Sequence, residues 1–343
     1  MRIAAPTPYQ VVQREGYEPS QSHINAPGGA RLGHGALPVS ISGLSSDKPA
    51  IEWRAVDLSG AEARGTPWTP LDVTPGGDGF TGKALAPAGG WYRIELRESS
   101  GGPNGTIAAV EPVGVGEVFV IAGQSYADGC NDELLRVQDP QLRVAAYDLT
   151  SQTWRVAHDP LPNVNPGGTI WPAMGDALLP FTRVPIGLVN VAAGGTASKE
   201  WLPGTPLCER LLRAGKDMCR FRAVLWQQGE SDVMAKVPAE EYVANMVAIR
   251  SSLAQAWGFG PQWLLAKSTY HPTVYSDPTG EGCIRGAIER LQHMPGFGVG
   301  PDTDVLGEAN RGGMETARHF SGIGQRRAGM LWFVAVWNEM NRA

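Results

Sequence analysis

The sequence predicts an α/β protein, a domain with a central parallel sheet covered by helices, preceded by a smaller region of short strands. Three observations predict it. Residues 118–122, VFVIA, form a continuous apolar run stopped at Gly123, the pattern of a strand buried on both faces of a parallel sheet. From about Val115 onward, such runs alternate with stretches of helical period. Before residue 113 no helical period occurs, and short strand-like runs are punctuated by turn-forming clusters, which suggests a β-sandwich. The expected division is a β-sandwich-like accessory domain at 1–113 and an α/β domain at 114–343. A chain of 343 residues is long enough for two cores.

In the first region the candidate strands are 9–14, 36–42, 50–57 and 91–97. Between them lie turn clusters such as PGGDG at 75–79 and SSGGPNG at 99–105. In the run WYRIEL at 91–96, alternation puts Tyr92, Ile94 and Leu96 on one face, the better core face, and Trp91, Arg93 and Glu95 on the other. In the second region the first strand is followed by a long connection, 128–170, that reads as irregular. A helix is predicted over 171–182, with Pro172 tolerated in its first turn. Strand 186–192, helix 206–218 and strand 223–226 follow. The clearest helix carries Tyr242, Met246, Ile249, Leu253 and Trp257 at three- and four-residue steps. Strand 263–266, helix 280–293 and a short strand at 297–299 come next. A closing helix runs from Ser321, an N-cap candidate, to about Met340.

Composition narrows the function. The net charge is −5, with no Lys/Arg block and no apolar stretch of membrane-spanning length, so neither nucleic acid nor a membrane is an expected partner. The 11 Trp residues suit a groove that receives carbohydrate. The four cysteines, Cys130, Cys208, Cys219 and Cys283, show no CxxC spacing, and no histidine stands at zinc-ligand spacing from them. No metal or cofactor is expected. Cys208 and Cys219 are near enough to close a small loop, and buried free thiols are the alternative. The N-terminus, MRIAAPTPYQ, has no charged-then-apolar leader. The protein either stays in the cell or is a mature form whose leader was removed, in which case secretion or the periplasm is favoured. The sequence assigns no oligomeric state.

The chemistry gathers at strand ends. The first strand runs into Gly123-Gln124-Ser125, where a glycine permits a tight turn and free backbone N–H groups can face an anion. Ser125 in that position is a candidate nucleophile; the ordinary alternative is a turn or cap residue. Strand 186–192 leads to AGGTAS at 193–198, strand 223–226 to QQGESD at 227–232, and strand 263–266 to KSTYH at 267–271. Arg318-His319-Phe320 precede the last helix. In a parallel sheet these ends share one edge, where open α/β sheets bind ligands.

These blocks resemble the SGNH hydrolases, specifically their sialate O-acetylesterase-like carbohydrate esterase branch. AGQSYADG at 122–129 is similar to the nucleophile block, with Tyr126 where Asn is usual. IGLVNVAAGGTASKEW at 186–201, LWQQGESD at 225–232 and HFSGIGQRRAG at 319–329 resemble the later blocks, in the family's order. YQVVQRE at 9–15 resembles the opening of the family's accessory β domain. The resemblance implies a three-layer, flavodoxin-like domain and a carbohydrate O-acetylesterase acting through an acyl-serine intermediate, with an acetylated carbohydrate as its partner.

Acyl transfer needs a nucleophile, a base and donors for the oxyanion. Ser125 is expected as nucleophile and His319 as base, since imidazole titrates near neutrality; His271, also after a strand, is the rival. The oxyanion donors are expected to be the N–H groups of Ser125 and of Gly195, in preference to Gly194, with the Gln228 amide as third donor by resemblance. Gln124, Glu230 and Asp232 are expected to support the loops. Tyr126, Trp171, Trp201 and Tyr270 are candidate sugar-stacking residues, with core packing as the alternative. One departure stands out. The superfamily's orienting Asp, three residues before the histidine, is replaced by Thr316, with Glu315 beside it. Glu315, another acid such as Asp302 or Asp304, or a backbone carbonyl then orients His319. Two rival functions are a glycosidase using Glu230 with a second acid, and a non-catalytic carbohydrate-binding protein.

Overall fold

The computed structural model describes residues 1–18, 32–44, 49–58, 65–99, 107–312 and 317–342. The N-terminal part holds β1 (Arg2–Ala5), β2 (Val11–Gln13), β3 (His34–Ser42), β4 (Ile51–Asp57), β5 (Thr69–Leu71), β6 (Val73–Gly76), β7 (Gly79–Pro87) and β8 (Gly89–Glu98). Strands β1, β3, β7 and β6 form one antiparallel sheet in that order. Strand β4 pairs antiparallel with β5 and with β8. Side chains of both groups share one apolar cluster, including Leu37, Val39 and Ile41 from β3 and Tyr92, Ile94 and Leu96 from β8. Strands β1, β5, β6 and β7 are absent from the sequence expectation. In β7 the inward residues are Ala84 and Ala86 while Leu85 points out, so no apolar alternation marks it. The 75–79 cluster is the β6–β7 hairpin, with Gly77 at φ 57; the 99–105 cluster lies largely outside the described residues.

A single long strand, β9 (Ala108–Gly123), crosses the expected 113/114 boundary. Its first half pairs with β8 antiparallel and with β2 in parallel. Its second half sits inside the α/β sheet, between β12 (Ile186–Asn190) and β13 (Ala223–Gln227), parallel to both. The sheet continues through β10 (Val144–Asp148) and β11 (Thr153–Val156) on one side. On the other it continues through β14 (Gln262–Lys267) and β15 (Phe297–Asp302), giving the order β11-β10-β12-β9-β13-β14-β15. All these pairs are parallel except β10–β11.

The irregular 128–170 connection is thus corrected: it contains the β10–β11 hairpin. Its strands are short, and its turn reaches a positive φ at Gln152 without the Asn-Gly or Asp-Gly that announces such hairpins. The helices are α1 (Trp171–Thr182), α2 (Pro206–Met218), α3 (Glu230–Met234), α4 (Ala239–Trp257), α5 (Pro278–Gln292) and α6 (Gly322–Met340). Their starts follow the chemistry of the chain. Thr205 caps α2 through Cys208 N, Asp277 caps α5 through Gly280 N, and Ser321 caps α6 through Gly324 N.

Alternation along β9 builds both faces of the sheet. Val118, Val120 and Ala122 pack with Leu211 of α2, Tyr242 and Ile249 of α4 and Ile284 of α5. Phe119 and Ile121 pack with Trp171 and Met174 of α1 and Trp332 and Val336 of α6. Each such buried apolar side chain contributes about 1.5–3 kcal/mol. The chain leaves β9 toward β10 and β12 on one side, then crosses to β13 on the other. The carboxyl end of β9 is therefore the point where the winding reverses and a crevice opens.

Candidate active site

Gly123 closes β9 at φ 132, and a Cβ there would lie 2.0 Å from the Gln227 carbonyl oxygen. Only glycine allows the turn to run this close to β13, where Gln124 N donates to Gln227 O at 2.9 Å. Gln124 Oε1 then accepts from Ser231 N in the first turn of α3 at 3.1 Å. The turn holding Ser125 is thereby tied to the end of β13 and to the start of α3.

A cavity of about 620 Å³ opens at this edge, and Ser125, Gly195, His319, His271, Gln124 and Arg318 all line it. Ser125 is 8% exposed. No hydrogen bond among the described residues uses the N–H of Ser125 or of Gly195. The Gly194 N–H, by contrast, donates to Asp128 Oδ2. Both glycines line the cavity, and that contact leaves Gly195, at φ 73 with open space where a Cβ would be, as the one of the two whose N–H is unused. His319 Nε2 is buried without a partner among the described residues, and its ring meets Tyr126 edge-on at 5.4 Å. Burial first, then Arg318, His271 and Arg311, push His319 down to about 4. His271 is held at about 4 by burial, Arg318 and Arg311.

Several expectations are corrected by the geometry. Gln228 does not reach the cavity wall. Its amide donates to Thr196 O at 3.2 Å and to Asp232, while its Oε1 accepts from Tyr242 at 3.2 Å, so it braces loops. Tyr126, Trp171 and Trp201 are buried packing residues. Tyr126 donates to the carbonyls of Tyr270 and Arg318, Trp171 to Ala127 O at 3.0 Å, and Trp201 to Thr196 Oγ1 at 3.0 Å. Their indole and phenol groups satisfy the interior. Tyr270 lines a separate hollow with Arg285 and Asp304. Asp302 and Asp304 clamp Arg285, and Asp304 also accepts from Thr269 N and Tyr270 N, so they shape the β14 end. Glu315 and Thr316 lie outside the described residues.

Glu230 and Asp232 are fully buried and do not line the cavity. Asp232 accepts from Ser198 N at 2.9 Å and from Ser198 Oγ at 2.6 Å. Glu230 accepts from Ser268 Oγ, its Oε2 has no partner, and burial pushes its carboxyl up to about 8. The four cysteines are free, which corrects the Cys208–Cys219 option.

Sequence reasoning missed Asp128 and Asn165. Asp128 accepts from Asn165 N at 3.2 Å and Asn165 Nδ2 at 2.6 Å as well as from Gly194, pinning the glycine loop. Asp128 was visible three residues after Ser125, but Asn165 sits in the connection read as irregular. Among the described residues no cluster of His, Cys, Asp and Glu could hold a metal ion, and no helix is long and apolar enough to cross a membrane.

Most of the cavity lining, though not His271, Val274, Arg318 or His319, falls within a stretch that matches a known family. Residues 115–260 match the family described as carbohydrate esterase, sialic acid-specific acetylesterase. An Arabidopsis thaliana protein named as a probable carbohydrate esterase is 33% identical over 165 residues, which cover 39% of this chain and 62% of that protein. The chain thus matches less than two thirds of that relative's length. The X-ray structure of the same Arabidopsis protein superposes with a TM-score of 0.51 at 22% identity, over 66% of this chain and 99% of that one. A crystal structure of a carbohydrate acetylesterase from Xanthomonas citri superposes with a TM-score of 0.60 at 18% identity, over 97% of this chain and 73% of that one. At these identities the two structures share the fold. The family match, over residues 115–260, spans less than half of this chain.

Proposed function

We propose that the protein is a carbohydrate O-acetylesterase with Ser125 as nucleophile and His319 as base. The observation that carries this reading is one cavity wall holding a serine hydroxyl, an unpartnered imidazole nitrogen and two unused backbone N–H groups. The family match over 115–260, which contains Ser125 and Gly195 but not His319, supports it, and so does the name of the Arabidopsis relative. Ser125 Oγ attacks the acetyl carbon and gives its proton to His319 Nε2. The N–H groups of Ser125 and Gly195 receive the oxyanion. The sugar alcohol leaves with the proton from His319, and water then frees acetate from the serine by the same route. The neutral imidazole carries the proton without a carboxylate partner among the described residues.

The finer reading of the fold belongs to the same proposal. Residues 114–343 act as a three-layer SGNH-type, flavodoxin-like catalytic domain, and 1–113 as a β-sandwich-like accessory domain. The glycosidase alternative is disfavoured because Glu230 is fully buried, is absent from the cavity lining and accepts from Ser268. Acetate release from acetylated glycans is the test. Ser125→Ala and His319→Ala should each lower kcat by roughly 10³-fold or more. Undiminished release by Ser125→Ala would reject the nucleophile, and sugar release in place of acetate would reject the reaction.

A further inference from the structure

His271 is a second imidazole in the cavity, and the acyl-transfer steps above leave it without work. It follows β14, is 7% exposed, and lines the same wall as Ser125 and His319. Among the described residues neither Nδ1 nor Nε2 has a hydrogen-bond partner, and both are shielded from solvent. Arg318 Nε, in the same lining and close enough to repel a charge on His271, is also buried without a partner. Buried polar atoms are nearly always paired, so three orphans around one cavity point to a molecule that pairs them when bound.

The identity of the orphans selects the chemistry of that molecule. A neutral imidazole presents one N–H and one lone pair. Burial, Arg318 and Arg311 hold His271 at about 4, so the lone pair persists at neutral pH. A carboxylate or phosphate offers acceptors alone and would leave that lone pair unmatched. A hydroxyl both donates and accepts, so one hydroxyl matches the lone pair on His271 together with the Arg318 Nε–H, while the His271 N–H, on the other side of the ring, takes a separate acceptor.

We propose that His271 and Arg318 Nε form a hydroxyl-recognition site, which contacts a free hydroxyl on the alcohol half of the ester. His271 is then a specificity-determining residue that distinguishes polyhydroxy acetates from simple acetates. The proposal rests on the esterase reading above and deepens it.

The experiment uses the full chain, with a monoacetylated methyl glycoside, its analogues in which each free hydroxyl in turn is replaced by hydrogen, and 4-nitrophenyl acetate, which has no hydroxyl. Wild type should lose roughly 10- to 100-fold in kcat/KM on one deoxy analogue. His271→Ala should lose a similar factor on the parent glycoside and no longer distinguish it from that analogue, while 4-nitrophenyl acetate turnover stays within about twofold. His271→Asn replaces it if the alanine variant does not fold, and the wild-type comparison needs no variant. Wild-type indifference to every deoxy analogue overturns the proposal, as does an equal loss on all substrates in the His271 variant. Failure of the esterase reading looks different: wild type would release no acetate from any of these esters, or release would survive Ser125→Ala.

Discussion

Two opposed titrations sit side by side in this protein. His319 is kept neutral down to about pH 4, chiefly by burial and then by Arg318, His271 and Arg311. The base is therefore in its working form at neutral pH, and kcat/KM should rise on an acid limb near pH 4 that His319 and His271 share as a coupled pair. Arg318→Gln removes a positive neighbour and should move that limb upward, measured on 4-nitrophenyl acetate; an unmoved limb would acquit Arg318. For stability, an unfolded histidine binds its proton from about 6.5 downward, whereas the folded ones wait until about 4. Stability should therefore fall as the pH drops through that window. Glu230 runs the other way. Its folded carboxyl holds a proton up to about 8, against 4.5 for the unfolded group, so stability is lost as the pH rises across that interval. Glu230→Gln should flatten this loss in thermal unfolding at pH 5 and 9, and a decline of unchanged size would place its origin elsewhere.

The two site glycines separate strain from space. At Gly123 a Cβ would meet the Gln227 carbonyl oxygen at 2.0 Å, with φ at 132. Gly123→Ala should destabilise by about 3 kcal/mol or more and displace the Ser125 turn. At Gly195 there is nothing within 4 Å of a Cβ, and the strain comes from φ 73 alone. Gly195→Ala should cost only ~1–2 kcal/mol in urea unfolding, yet lower kcat because the new methyl stands at the oxyanion position. Equal losses of stability in the two variants would contradict this distinction. The glycines themselves were legible, because each stops an apolar run and opens a polar block. Helices α1 and α2 were legible to their ends, since a proline in the first turn marks each start. The β10–β11 hairpin was not, because its turn geometry is imposed on ordinary residues by the packing of Tyr147 and Trp154.

Strand β9 ties the two halves of the molecule together, and a buried charge cluster marks the joint. Glu117, fully buried in β9, takes Arg14 Nε at 2.6 Å and Arg222 Nε at 2.7 Å. Burial alone would raise its carboxyl, but Arg14 and Arg222 outweigh that and hold it below the usual range. Glu117→Ala leaves Arg14 buried and unpaired and should destabilise by about 3–5 kcal/mol in denaturant unfolding. A loss below about 1 kcal/mol would mean that solvent reaches Arg14 and shares the work.

Periodicity and end chemistry were enough to locate the strands and helices of the α/β part, and the apolar run ending in Gly-Gln-Ser marked where its chemistry lies. Both are local properties, written in residues that neighbour one another along the chain. Which polar residues face the cavity was decided by the folded molecule. Gln228, Trp171 and Trp201 look like ligand-facing residues beside their motifs, but protein partners claim their polar atoms, some as far along the chain as Ala127 for Trp171 and Thr196 for Gln228. His271 looks like a spare histidine, but no group among the described residues hydrogen-bonds its nitrogens. A hydrogen bond depends on what lies within about 3 Å in space, and that is settled only when segments far apart in the chain pack together.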